Sequence, residues 1–349
     1  MTDSAHGSSR RSATMHDVAA LAGVSQATVS LVLNDSNGSR FSDQTKKRVR
    51  EAAARLGYRT NAFAKSLRKG ESGMIGFVSD EVATSPFAGK LLKGAQERAW
   101  AAGHVIISVD TFGEAGLEQA AIEMMQSYRV RGIVYAAMYH RRITVPALLA
   151  DTPTVVVNAQ DDAGRVDSFF PDEELGGFTA TQHLLEAGHT RIGMINIQPR
   201  DSTLPAGIGR LAGYRRALKE AGVQPDTDLV RYGDGIVESG QVLTTELMRG
   251  PDAPTAIFAA NDRTAWGAYR ALSALGLTVG VDCSVVGFDD METVAQHLDP
   301  ALTTLALPFE EMGRRAVDAL LAPRSTPRQE ALECPLISRQ SVAKAKVPA

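Results

Sequence analysis

"MHDVAALAGVSQATVSLVLN", residues 15–34, decides how the front of this chain is read. Val18, Leu21 and Ala22 repeat at the spacing of one helical face, and Thr14 with Asp17 forms the Thr-x-x-Asp pattern of a capping box. Gly23 stops that helix, because glycine enters left-handed backbone without steric cost. Ser25 then caps a second helix, with Val29, Val32 and Leu33 inward and Gln26, Ala27, Ser30 and Leu31 outward. Two helices joined by a tight glycine-containing turn, the second with a largely uncharged outer face, make the helix-turn-helix pattern. After the polar loop "NDSNGSR", Ser42 caps a third helix that runs to Leu56. Val49, Ala52, Ala53 and Leu56 are expected inward, Lys46, Lys47, Arg48 and Arg50 outward, and Gly57 ends it.

Charge is distributed to match. Residues 1–72 hold 12 Lys/Arg against 6 Asp/Glu, a balance of +6, whereas the remaining 277 hold 25 against 34, a balance of −9. A small basic module joined to a larger acidic one points to a polyanion partner for the front end. The hydroxyls of Ser25, Thr28 and Ser30 and the amides of a helix N-terminus are the groups that meet phosphates. Ahead of the module, residues 1–13 are polar, lack the apolar stretch of a secretory leader, and read as a disordered arm. Behind it, "RTNAFAKSLRKGESG", residues 59–73, has weak helical spacing through Phe63 and Leu67 and reads as a linker or as a helix that forms against a partner.

From Met74 the texture alternates. "MIGFVS", "HVIISVD", "GIVYAAM", "TVVVNAQ", "RIGMINI", "TAIFAAN" and "CSVVGFDD" are apolar strand-length runs, separated by helical stretches such as "KLLKGAQERAWAAG" and "TAWGAYRALSALG". Continuous apolar strands alternating with amphipathic helices imply parallel sheets covered on both faces. So many strands are best divided between two open sheets, giving an α/β body of two lobes with a cleft at the carboxyl ends of the strands. The expected division is 14–58 for the helix-turn-helix, 59–73 for the hinge and 74–342 for the body. Within the body, lobe one is expected at 74–171 and 303–332, lobe two at 172–302 and a tail strand at 333–342, with 343–349 as a tail. The longest apolar runs fall far short of the roughly 20 residues of a membrane helix.

Catalytic patterns are lacking. "GIGRLAG", residues 207–213, satisfies G-x-G-x-x-A, but it does not follow a strand directly and no acidic residue stands where a ribose would need one. There is no Walker A sequence, no G-x-S-x-G and no H-E-x-x-H. His183 and His189 have poor metal spacing, and Cys283 and Cys334 stand outside any Cys/His cluster, as packed thiols of a reducing compartment. No catalytic residue, metal or cofactor is expected. The polar residues that stand out sit at strand ends: Asn158, Asp172, Asn261, Asp262, Asp289 and Asp290. Amides and carboxylates placed there suit a hydroxyl-rich or nitrogenous small molecule, although Asn261 and Asp289 equally suit helix capping or pairing.

"MHDVAALAGVSQATVSLVLN", "GYRTNAFAKSLR", "PTAIFAANDRTAWGAYRALSALGL" and "CSVVGFDD" together resemble the LacI/GalR family of bacterial transcription repressors, from about Thr14 to Val342. The resemblance implies a periplasmic-binding-protein-like body of type I behind a helix-turn-helix, working as a cytoplasmic homodimer on near-palindromic operator DNA. It implies base-edge contacts from Gln26, Ala27 and Leu31, and phosphate or backbone contacts from Thr14, Ser25, Thr28, Ser30, Asn34 and Ser42. It makes "NAFAKSLR" a hinge helix, with Asn61, Ala64 and Leu67 at the DNA and Leu67 as a minor-groove wedge. For the effector pocket it implies Phe87, Asn158, Asp172, Arg210, Asn261 and Asp289. Three departures stand out: Leu31 where Arg is usual, Thr60 where Pro is usual, and a loop at 35–41 about two residues longer than the family spacing. A solute-binding receptor shares the lobed fold but carries a leader and no basic headpiece. The sign of regulation, release or co-repression by the ligand, or activation, is not set by these residues.

Overall fold

The computed structural model describes residues 13–33, 41–58, 72–85, 89–250 and 252–346. The chain divides into two units, residues 1–73 and 74–349. Asn34, Asn61, Ala64, Leu67 and Phe87, and the hinge expected around them, lie outside the described residues.

In the first unit, α1 (Met15–Ala22), α2 (Gln26–Leu33) and α3 (Asp43–Leu56) pack around Val18, Ala19, Ala22, Val29, Val32, Val49, Ala52 and Ala53. Thr14 and Asp17 form the reciprocal capping box, Asp17 N donating to Thr14 Oγ1 at 3.3 Å and Thr14 N to Asp17 Oδ2 at 2.8 Å. Gly23 and Gly57 close α1 and α3 at φ 65° and 62°, where a side chain would be strained. Two expected core positions are corrected: Leu21 is 44% and Leu56 37% exposed. Ala19 takes the inward place on α1, and its small side chain lets the helices approach closely.

The body is built on two six-stranded sheets. The first contains β1 (Met74–Ser79), β2 (Val105–Asp110), β3 (Ile133–Ile143), β4 (Thr154–Asp161), β5 (Asp167–Pro171) and β11 (Gln329–Leu332), ordered β11-β5-β4-β3-β1-β2 and parallel throughout. The second contains β6 (Ile192–Asn196), β7 (Val230–Tyr232), β8 (Ala256–Ala259), β9 (Ser284–Asp289), β10 (Thr303–Ala306) and β12 (Leu336–Ile337), ordered β12-β10-β9-β8-β6-β7, with only β12 antiparallel. Fully buried runs such as "FVS" in β1 and "AIFA" in β8 are what sheets covered on both faces require.

The covering helices are α4 (Gly89–Ala101), α5 (Ala115–Ser127) and α10 (Phe309–Leu321) on the first lobe. On the second they are α6 (Glu173–Glu186), α7 (Pro205–Glu220), α8 (Val237–Met248) and α9 (Asp262–Ala274). Three helix pairs meet through glycine on both partners: Gly94 and Gly313, Gly177 and Gly213, Gly240 and Gly267, where an added Cβ would fall within 2.5 Å of the facing backbone. Gly207 and Gly209 lie on α7, against Gln198 and Glu173 respectively. The glycines of "GIGRLAG" therefore serve close packing, which explains a nucleotide-like pattern away from any strand-to-helix phosphate turn.

Strand pairing corrects one expected boundary. Residues 303–306 pair with β9 and so belong to the second sheet, and the chain returns to the first lobe only beyond Ala306. It returns once more after β11, so that β12 edges the second sheet. In each sheet the strand order reverses beside its first strand, between β1 and β3 and between β6 and β8. Crevices form at the carboxyl ends of strands at such switch points.

Candidate functional site

On the headpiece, the outer face of α2 leaves Ser25, Gln26, Ala27 and Leu31 exposed, Leu31 by 46%. Ser25 caps α2, its Oγ accepting from Thr28 N at 3.1 Å and lying 2.9 Å from Thr28 Oγ1. Ser42 caps α3 in the same way, accepting from Thr45 N at 3.3 Å. Ser30 is the exception, buried to 8% exposure. Because α2 packs on both α1 and α3, its buried sector is wider than the expected stripe and takes in Ser30.

In the body, a cleft of about 220 Å³ lies where strand ends of both lobes meet. Met138, Tyr139, His140 and Asn158 line it from the first lobe, and Glu173, Arg210, Asn261 and Asp289 from the second. Arg210 is its centre: Nε donates to Glu173 Oε2 at 2.7 Å, Nη1 to Ala260 O and to Asp289 Oδ1, the latter at 3.4 Å, and the guanidinium carbon sits 3.7 Å from the centroid of the Phe288 ring. Burial works against a charge on Glu173, but Arg210 and His140 outweigh it and hold its carboxyl below the usual range. Burial pushes the Asp289 carboxyl up to about 6, against the pull of Arg210. Asp262, wholly buried, is likewise held well above the usual carboxylate range by burial and by Asp289; it accepts from Thr304 Oγ1 and Met291 N, each at 2.6 Å, and ties the strand-end turns together.

Backbone strain gathers at the same place. Asn158 at φ 53°, Asp289 at 109° and Asp290 at 48° occupy left-handed or neighbouring territory that L-residues avoid, and such outliers cluster at binding sites. Asn158 Nδ2 donates to Ala137 O at 2.9 Å and Met138 O at 3.0 Å, bracing the end of β3. Asn261 lines the cleft, yet both ends of its amide are engaged: Oδ1 accepts from Thr264 N at 2.8 Å, capping α9, and Nδ2 donates to Gly235 O at 3.0 Å.

Asp172, expected in the pocket, is not among the lining residues. Its carboxylate turns back to cap α6, accepting from Leu175 N at 2.9 Å, and the next residue, Glu173, stands in the cleft instead. An N-cap side chain folds over its own helix amides while the residue after it projects away, so adjacent carboxylates before a helix carry that signal. His140 was missed as well, because it sits near the end of a long strand with no neighbouring motif. His189 is packed: Nδ1 lies 2.9 Å from Thr255 Oγ1 and Nε2 3.0 Å from Ser284 Oγ and from Ala343 O.

Residues 14–61 match the model of the bacterial regulatory proteins, lacI family, and residues 181–342 that of a periplasmic binding protein-like domain. The ribose operon repressor of Escherichia coli (strain K12) is 34% identical over 312 residues, covering 88% of this chain and 92% of that protein. The HTH-type transcriptional repressor PurR of Pectobacterium carotovorum (strain PC1) is 34% identical over 346 residues, covering 95% of this chain and 97% of that protein. Among solved structures, the lac repressor dimer bound to operator and the anti-inducer ONPF aligns with a TM-score of 0.78 at 28% identity, covering 95% of this chain and all of that one. The transcriptional regulator CelR in complex with cellobiose aligns at 0.64 and 33% identity, covering 94% and 99%. With its helix-turn-helix and its two-lobed cleft, this chain belongs to the lacI family of bacterial regulatory proteins, which are DNA-binding transcriptional regulators and not enzymes.

Proposed function

We propose that this regulator is a homodimeric repressor, working in the cytoplasm on a near-palindromic operator, whose affinity is set by a neutral, hydroxyl-rich ligand of about monosaccharide size. The observation that carries the ligand class is the neutralised Arg210, which spends its charge on Glu173 and Asp289. Among the described lining residues two cations, Arg210 and Arg263, stand against three carboxylates, Glu173, Asp234 and Asp289, a balance that disfavours a phosphate. Dipolar and carboxylate groups of that kind suit hydroxyls. A cleft of about 220 Å³ is smaller than the roughly 300–1,000 Å³ of drug-sized sites, which favours one sugar ring over a longer chain. The ribose operon repressors among the relatives support the same class.

Exposed Gln26, Ala27 and Leu31 are read as base-edge contacts, and the capped N-terminus of α2 as a phosphate clamp. Leu67 is read as the minor-groove wedge of the hinge. The ligand acts by favouring one pose of the lobes, and a coupling of roughly 1–3 kcal/mol suffices to shift operator occupancy.

The test is selection of bound duplexes from a random pool, followed by gel-shift titration with and without sugars. An enriched palindrome is expected, bound with an affinity that falls steeply with salt and changes on adding a monosaccharide. No enriched sequence at moderate ionic strength overturns the operator reading. A response to sugar phosphates alone overturns the ligand class.

A further inference from the structure

His140 belongs to the first lobe, yet its Nδ1 lies 3.2 Å from Oε1 of Glu173 on the second, making a polar link across the cleft. Glu173 is held as a carboxylate by Arg210 and can only accept, so the proton between the two groups stands on Nδ1 of His140, and a ring carrying that one proton has its lone pair on Nε2. The ring is fixed further by Phe170, stacked with centroids 5.1 Å apart and planes inclined by 25°. The His140 side chain is only 4% exposed and lines the cleft, and Nε2 is buried with no hydrogen-bond partner. A buried polar atom left without a partner is unfavourable and uncommon in folded proteins, and here, on a residue that lines the cleft, it calls for a partner from outside the chain. Asn261, in the same cleft, shows the contrast, because both ends of its amide are satisfied within the protein.

We propose that His140 is a ligand-reading residue: Nε2 accepts a hydrogen bond from one hydroxyl of the bound sugar, while Arg210 and Asp289 hold the same molecule from the other lobe. Glu173 is the positioning residue, fixing the tautomer through Nδ1. A ligand bonded from both lobes binds the closed pose better than an open one, which is the differential affinity that regulation needs. The inference rests on the reading of the cleft as a site for a hydroxyl-rich ligand.

The test is calorimetric titration of the full chain with D-ribose, D-xylose, D-glucose and D-galactose, then with each monodeoxy derivative of the sugar that binds. His140→Asn keeps an amide N–H near Nδ1 to meet Glu173 and removes Nε2; His140→Gln restores a polar group near Nε2. Expected are a loss of affinity of about tenfold or more in His140→Asn, and a smaller loss in His140→Gln. One deoxy sugar should bind wild type and His140→Asn alike, because it lacks the hydroxyl that His140 reads. A purely structural role would penalise every deoxy sugar equally, and that result overturns the inference even where the variant is less stable. Equal affinity of wild type and His140→Asn for the parent sugar overturns it too, leaving the cleft reading intact. Failure of the wild type to bind any of the sugars overturns both.

Discussion

Arg210 Nε donates to Glu173 Oε2 at 2.7 Å, and both side chains are 4% exposed. A buried ion pair is costly to break because the remaining charge stays desolvated, whereas replacing both members with apolar groups removes the cost along with the gain. Glu173→Leu is therefore expected to destabilise the ligand-free protein by about 3–5 kcal/mol, and Glu173→Leu with Arg210→Met to recover only part of it, because Asp289 loses its cation. Urea denaturation checks this. Additive losses in the double variant would mean that the two residues do not act as a pair.

Gly213 on α7 faces Gly177 on α6, and a Cβ built on Gly213 would lie 2.1 Å from Glu174 O. Backbone cannot yield as a flexible side chain can. Gly213→Ala is expected to lower stability by about 1–3 kcal/mol, the overpacking range, despite alanine's better helix propensity. Gly116 on α5 has open space around its Cβ position, so Gly116→Ala is expected to be neutral or mildly stabilising. Similar thermal midpoints for the two variants would count against the close helix crossing.

His189 supplies a pH dependence of definite sign. Burial lowers its folded pKa from 6.5, against a hydrogen bond to Ala343 O, so below pH 6.5 the unfolded chain takes up a proton that the folded chain resists. Stability from this residue is intact above 6.5 and declines as the pH falls towards the lowered folded value. Asp289 runs the other way: its folded carboxyl, raised to about 6, protonates before the unfolded one near 3.8, which favours the fold as the pH falls. The two slopes oppose each other in wild type. His189→Gln is expected to show midpoints that gain on wild type steadily from pH 7 to 5, and parallel profiles would show that His189 does not titrate between the two states.

Leu31, 46% exposed on the outer face of α2, can offer a base edge only apolar contact, such as with a thymine methyl. Leu31→Arg introduces a bidentate donor for guanine, and the selected operator is expected to gain a G at one position of each half-site, with discrimination of roughly 1–3 kcal/mol. An unchanged consensus would remove Leu31 from the readout. For Leu67, outside the described residues, Leu67→Ala is expected to weaken operator binding in a gel shift while sugar affinity in calorimetry stays the same. A loss in both would assign it to folding.

Much of this molecule was legible in order along the chain. The capping pair Thr14 and Asp17, the stops at Gly23 and Gly57, and the alternation of buried strands with amphipathic helices are properties of consecutive residues, so local physics specifies them. The strand-end positions of Asn158, Asn261 and Asp289 followed, because parallel sheets bind ligands at carboxyl ends. Packing decided what local pattern leaves open: Ser30 is buried because α2 packs on both neighbouring helices, and Leu21 is exposed because Ala19 takes the inward place on α1. Whether 303–306 joined the first or second sheet, which of Asp172 and Glu173 entered the cleft, and that His140 met Glu173 were settled by contacts between lobes and strands distant in sequence. Such contacts depend on where the whole backbone places its strand ends, and periodicity along one segment carries no record of what lies across a cleft.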